Sequence, residues 1–279
     1  MSRFLMILVA AFSLAGCGNV GSGSTDLVNQ VAAGNATCLV VDLDANTVRA
    51  EVSLTAALAL SGIRDSKLVL VRIPAGSVAG GSGPGVRWGL PDEVAGAKGS
   101  AQVFVSVFEI TRGQWRRLAG SQPWATLPAD LVGSGDSLPA CGISLDAANA
   151  AVNAVAARIP GRLSLPTSEQ WEYLARGGST ARYPWGDSND PSVAGLYAVT
   201  ADTVTALSGP QRTGSLAQNA FGLYDVAGNA WELTSDGTIH GGSWLDGLPM
   251  ARSANRFSLD QASAHALVGV RFLYRPTSP

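Results

Sequence analysis

Asn219-Ala-Phe-Gly-Leu-Tyr-Asp-Val-Ala-Gly-Asn-Ala-Trp-Glu232 is the stretch on which the fold turns. No long helix fits it: glycines break it into short apolar pieces, and a tight turn through Gly228-Asn229 lies between the carboxylates Asp225 and Glu232. The last hundred residues are all of this kind, rich in tryptophan and glycine and without an internal repeat. Upstream the reading becomes regular. Thr167-Ser168-Glu169-Gln170 is a capping box, in which the Thr hydroxyl takes one orphan amide and the Gln side chain reaches back to another. It predicts a helix through Trp171, Tyr173 and Leu174 that ends at Gly177-Gly178. Ser144 caps an Ala-rich helix from Leu145 to about Ala157, stopped by Pro160-Gly161. Thr111-Arg112-Gly113-Gln114 is a second capping box, opening a helix through Trp115 and Leu118 to Gly120. Strands are expected at Cys38 to Leu43, Thr47 to Val52, Lys67 to Ile73 and Gln102 to Phe108. Gly80 to Gly85 lacks the Lys-Ser/Thr of a phosphate-binding loop and opens no helix, so it reads as a plain loop.

The 279 residues suffice for one large domain or two small ones. With 33 Gly, 14 Pro and only 14% charged residues, a helical bundle or coiled coil is excluded in favour of a loop-rich fold. Nineteen Lys+Arg against 21 Asp+Glu, with no basic run, speak against a nucleic-acid partner. Two His and three Cys leave little material for a zinc or iron site. At the N-terminus, Arg3 precedes an apolar run from Phe4 to Leu14 that is too short to span a bilayer. The run closes on Leu14-Ala15-Gly16-Cys17, which resembles a bacterial lipoprotein signal. That resemblance implies cleavage after residue 16, acylation of Cys17, and a membrane partner through the lipid. Gly18, where Asp would mark inner-membrane retention, implies the outer membrane of a bacterial cell envelope, on its periplasmic or surface-exposed face. Residues 17–36 then read as a flexible tether and 37–65 as an N-terminal strand extension. Cys38 and Cys141 either form a disulfide or are each a small buried hydrophobe.

Seven motifs in order carry a family likeness: Arg72-Ile-Pro-Ala-Gly76, Arg162-Leu-Ser-Leu-Pro-Thr-Ser-Glu-Gln-Trp-Glu-Tyr-Leu-Ala-Arg-Gly-Gly178, Tyr183-Pro-Trp-Gly-Asp187, the 219–232 stretch, Gly241-Gly-Ser-Trp244, Arg252-Ser-Ala-Asn-Arg256 and Gly269-Val-Arg271. Residues 66–275 closely resemble the formylglycine-generating enzyme (sulfatase-modifying factor) domain. The resemblance implies an irregular, loop-rich α+β fold related to C-type lectins, with short helices and small antiparallel sheets. It also implies that activity would need two copper(I)-binding cysteines, three and eight positions after Ser243. Those positions hold Asp246 and Ala251. A soft metal wants thiolates, so no copper and no formylglycine generation are expected. Asp225, Gly228, Ala230 and Glu232 resemble the family's structural calcium site, two carboxylates with backbone carbonyls between them; the alternative has Asp225 capping the turn and Glu232 paired with an Arg. The family's other calcium site is not recognisable around Ala194-Gly195-Leu196 and Thr205-Ala206-Leu207.

Arg162, Arg176, Arg252, Arg256 and Arg271 are expected to be forks that satisfy buried carbonyls and carboxylates. Trp171, Trp185, Trp231 and Trp244 are expected in the core; Trp88 and Trp115 are left open, and Trp124 sits in a loop that can present it at the surface. His240 is expected to be structural or at the surface and His265 exposed, which sets aside a two-histidine iron site. The segment after Trp244 carries apolar groups with a few acids: Leu245, Asp246, Leu248, Phe257, Leu259 and His265 make up a candidate binding surface, the alternative being that Phe257 and Leu259 are core. The expected function is thus a membrane-anchored, non-catalytic binding or display domain for a protein or small ligand. The alternative is a periplasmic oxidoreductase of the pyoverdine-maturation type.

Overall fold

The computed structural model describes residues 30–31, 36–51, 53–82, 93, 95–204 and 209–276. The signal peptide at 1–16, Cys17, most of the tether, Trp88 and Thr205-Ala206-Leu207 lie outside the described residues. Twelve strands are described: β1 (Cys38–Asp42), β2 (Thr47–Glu51), β3 (Lys67–Ile73), β4 (Gly76–Gly80), β5 (Gly96–Ser100), β6 (Val103–Ser106), β7 (Arg162–Ser164), β8 (Trp231–Leu233), β9 (Thr238–His240), β10 (Arg256–Ser258), β11 (Val268–Val270) and β12 (Leu273–Arg275). The helices of eight residues or more are α1 (Arg112–Ala119), α2 (Leu145–Ala156) and α3 (Ser168–Arg176).

One sheet has the order β2-β1-β3-β6-β12-β7 and is antiparallel throughout. A second has the order β10-β9-β8-β11, with β11 parallel to β8, and β4 and β5 form a separate hairpin. This is the expected α+β class of short helices and small sheets. The runs Leu39-Val40-Val41 and Leu68-Val69-Leu70 form the inner strands β1 and β3, paired Val40 to Val69; both faces are covered, so every side chain in them is buried. Residues 37–65 join the first sheet through β1, which hydrogen-bonds directly to β3. The folded part also begins earlier than expected: Arg72 Nη2 donates to Val31 O at 2.8 Å, and Ala36 is buried.

Both capping boxes are formed reciprocally, Thr111 with Gln114 and Thr167 with Gln170, and Ser144 accepts from the Ala147 amide. Gly120 and Gly177 end α1 and α3 in the left-handed conformation. α3 lays Trp171 and Leu174 against Val103, Val105 and Leu273 of the first sheet. Trp124 is a correction: it is buried, with the Arg112 guanidinium over its ring, because the loop folds back onto the main core. Trp115 is buried too, and its indole N–H donates to Ser121 Oγ at 3.0 Å. Cys38 and Cys141 are both buried and free.

Candidate functional site

Three buried carboxylates and one buried guanidinium meet where the two sheets join. Glu232, on β8, accepts from Arg271 Nη2 at 2.6 Å, from Arg271 Nε at 3.0 Å and from Trp171 Nε1 at 2.7 Å. Arg271 also donates to the carbonyls of Ser106, Val107 and Tyr224. Burial alone would lower its pKa, but the Glu232 charge outweighs burial and holds it above the usual arginine range. Glu109, just after β6, takes the Asn229 side-chain amide at 2.6 Å and the Ala230 amide at 2.9 Å. Burial, with the charges of Asp225 and Glu232 adding to it, keeps its carboxyl well above the usual range. Asp225 accepts from the Gly214 amide at 2.6 Å and is pushed up to about 6, first by burial. Gly228 closes the turn because a Cβ there would lie 2.2 Å from Val199 O. Glu109 escaped the sequence reading; its only signal was a lone acid between a buried strand and a capping box.

Calcium needs six or more oxygens. Here both Glu232 oxygens are engaged by Arg271 and Trp171, and an Asp225 oxygen accepts from the Gly214 amide. Among the described residues no group of three or more His, Cys, Asp or Glu could hold a metal ion. At Asp225, Gly228, Ala230 and Glu232 the two carboxylates thus already have protein donors, and Glu232 is matched by an arginine.

The neighbouring loop carries the candidate surface. Gly241 and Gly242 adopt φ 90° and 75°, and a Cβ on Gly241 would press on Trp171 and on Val226 O. Asp246 Oδ2 accepts from Trp231 Nε1 at 2.9 Å, from the Ser243 amide at 3.0 Å and from Ser243 Oγ at 2.5 Å. Ala251 is buried with Ala198 and Ala227, and Trp185 packs against them. Leu245 and Phe257 are exposed, Leu259 is half-buried, and His265 is exposed with its Nδ1 accepting from the Leu267 amide. Phe257 stands edge-on to Trp231, 5.5 Å between centroids, so Asp246 and Phe257 both meet that indole, and Leu245 is exposed next to Asp246 in the chain. Leu248 does not belong to this surface. Its amide is anchored on Asp202 Oδ2 at 2.7 Å, and its side chain is buried at the start of a one-turn 3-10 helix. His240 is buried, stacked on Trp171 at 4.7 Å, with Nε2 2.8 Å from Ser168 Oγ; burial above all holds it down to about 3, so it is a neutral structural group.

The motif arginines divide. Arg176 pairs with Glu172 at 2.7 Å, and Arg252 grips Glu93 through two 2.8 Å bonds. Arg162 is exposed and is not such a fork, because β7 is an edge strand and leaves it no buried carbonyl to bind.

Short strands and helices locked by buried arginine–carboxylate pairs, with a Gly-Gly-Ser loop beside them, define a domain of the formylglycine-generating-enzyme type. The chain belongs to the sulfatase-modifying factor enzyme 1-like domain family, whose model matches residues 64–276. Formylglycine-generating enzyme of Mycobacterium tuberculosis is 42% identical over 86 residues, 28% of this chain and 28% of that enzyme. Inactive C-alpha-formylglycine-generating enzyme 2 of Bos taurus is 33% identical over 97 residues, 29% of this chain and 32% of that protein. The matches thus span less than a third of either relative's length. PvdO from Pseudomonas aeruginosa superposes with a TM-score of 0.67 at 21% identity, covering 75% of this chain and 94% of PvdO. Treponema denticola variable protein 1 gives 0.64 at 17% identity, covering 75% and 96%. At these identities the likeness is one of fold.

Proposed function

We propose that this chain is a lipid-anchored, non-catalytic binding domain of the bacterial cell envelope. The observation that carries the reading is the fate of the two positions where the family resemblance places copper thiolates. Asp246 is committed to Trp231 and Ser243, and Ala251 is packed beneath Trp185. Neither side chain is a ligand for copper(I). The cysteines Cys38 and Cys141 are buried, and burial pushes both thiols up, away from the thiolate a soft metal needs. The surface beside these positions offers Leu245 and Phe257, 40% and 39% exposed, with Phe257 edge-on to the buried Trp231 indole. Exposed apolar side chains beside a hydrogen-bonded acid suit recognition of a ligand with an apolar face better than redox chemistry.

The test is direct. With a chromophoric copper(I) chelator in competition, the protein should retain no copper(I), and a sulfatase-type Cys peptide incubated with it in air should keep its mass. Conversion of that peptide to the aldehyde sinks the reading. The anchor is tested separately: Cys17→Ser expressed in a bacterium should move from the membrane fraction to the soluble envelope fraction. An intact mass for the parent protein without acyl chains removes the anchor from the proposal.

A further inference from the structure

A groove of about 370 Å³ lies between α2, the edge strand β7 and the start of α3, and it shares no residue with the surface around Trp231. Arg162 on β7 and Arg275 on β12 are directly opposite each other in the antiparallel ladder, and both line the groove. Like charges facing each other across a strand pair are destabilising. Elsewhere in this protein the buried motif arginines are matched: Arg176 by Glu172, Arg252 by Glu93, Arg271 by Glu232. Arg162 and Arg275 differ. Among the described residues neither makes an ion pair or a side-chain hydrogen bond, and no carboxylate lines the groove. Asp236, near the groove, is spent on the Ser168 amide at the start of α3, and Glu169 is exposed outside the lining.

The other polar residues of the wall are uncharged and are set among the apolar Val152, Ala156, Leu163 and Leu165. Asn149 and Asn153 stand one helical turn apart on α2 and so share a face. Gln170 turns its carbonyl oxygen to the Thr167 amide, which leaves its NH₂ to the groove. Side-chain amides carry both donors and acceptors and match vicinal hydroxyls, whereas a pair of guanidinium forks matches a planar oxyanion. The volume falls in the range of small-molecule sites.

We propose that this groove binds an acidic saccharide unit, its oxyanion held between Arg162 and Arg275 and its hydroxyls by Asn149, Asn153 and Gln170. The ligand supplies a counter-charge that the strand pair lacks among the described residues. The site is independent of the Leu245–Phe257 surface, so either can fail without the other.

Glucuronate, glucose and sulfate serve as probes in calorimetric titrations of the parent protein at constant ionic strength. Glucuronate should bind, sulfate should compete with it but bind at least tenfold more weakly, and glucose should not bind. Arg162→Gln and Arg275→Gln should each weaken glucuronate at least tenfold, and the double variant should abolish binding. Asn153→Ala should weaken glucuronate and leave sulfate unchanged. Both arginines are exposed, so the variants should fold; without ligand, Arg275→Gln should melt no lower than the parent because a repulsion is relieved. Arg49→Gln, on β2 at the far edge of the same sheet, controls for general charge. The proposal is overturned if the parent binds neither anion, if sulfate binds as well as glucuronate, if the double variant binds like the parent, or if Arg49→Gln weakens binding as much as Arg162→Gln.

Discussion

Asp225 concentrates the physics of the site in one side chain. Its backbone is left-handed, φ 58°, a conformation that Asn and Asp tolerate better than other side chains with a Cβ. Its carboxyl is buried near Glu109 and Glu232, with Arg271 close enough to offset only part of the charge. The folded-state pKa is raised from 3.8 to about 6, so between those values the folded chain holds a proton that the unfolded chain has lost. Its favourable contribution is complete below the unfolded value and disappears as pH rises through about 6. Glu109 acts in the same direction. Asp225→Asn keeps an acceptor for the Gly214 amide and keeps the left-handed backbone, but removes the ionisation. It should gain up to about 3 kcal/mol over the parent at pH 8, and the gain should shrink toward nothing near pH 4. Urea unfolding between those pH values checks this; parallel curves for the two proteins would show that Asp225 does not titrate in the folded state. Chelator-sensitive unfolding of the parent, lost in the variant, would instead mean that a cation supplies the missing charge.

Elements were legible where their chemistry is local. The capping boxes at Thr111 and Thr167 and the Ser144 cap each need only three or four consecutive residues, and all three helices start where those residues say. β1 and β3 were legible as unbroken apolar runs. β7 to β12 were not, because three residues carry no period, and several of their pairings join distant segments: β11 finds its parallel partner β8 across 37 positions, Val268 to Trp231. The site divides along the same line. The motif order located the turn at Gly228, the Gly-Gly-Ser loop and the positions of Asp246 and Ala251. Leu248 was misplaced because its backbone is anchored by Asp202, 46 residues upstream, a partner the local sequence does not show. Trp124 was misplaced because its loop packs back on the main core and under Arg112. Arg162 sits in a motif whose other arginine, Arg176, is buried and paired, and only the position of β7 at the sheet edge separates the two roles.

At the scale of the molecule, Arg271 is the tie between the sheets. It stands between β11 of the second sheet and β12 of the first, pairs with Glu232 on β8, and satisfies the Ser106 and Val107 carbonyls at the end of β6. A buried pair of this kind is weak evidence of net stabilisation, because desolvating both charges offsets most of the attraction. What it does decide is the cost of removing one partner. Arg271→Met leaves Glu232 charged and buried and takes a side-chain donor from three carbonyls, of which Val107 O keeps the Tyr224 amide while Ser106 O and Tyr224 O lose theirs, so it should cost about 3–5 kcal/mol or more. Glu232→Leu leaves Arg271 buried without its carboxylate and also frees the Trp171 indole N–H, with a cost of similar size. In Arg271→Met/Glu232→Leu neither charge remains. The double variant should therefore be less destabilised than the sum of the singles by about 1–3 kcal/mol, yet stay below the parent because the orphaned carbonyls are not repaired. Guanidinium unfolding of all four proteins measures the coupling. If the single costs simply add, the ion pair is not what joins the sheets, and the carbonyl contacts of Arg271 carry the tie alone.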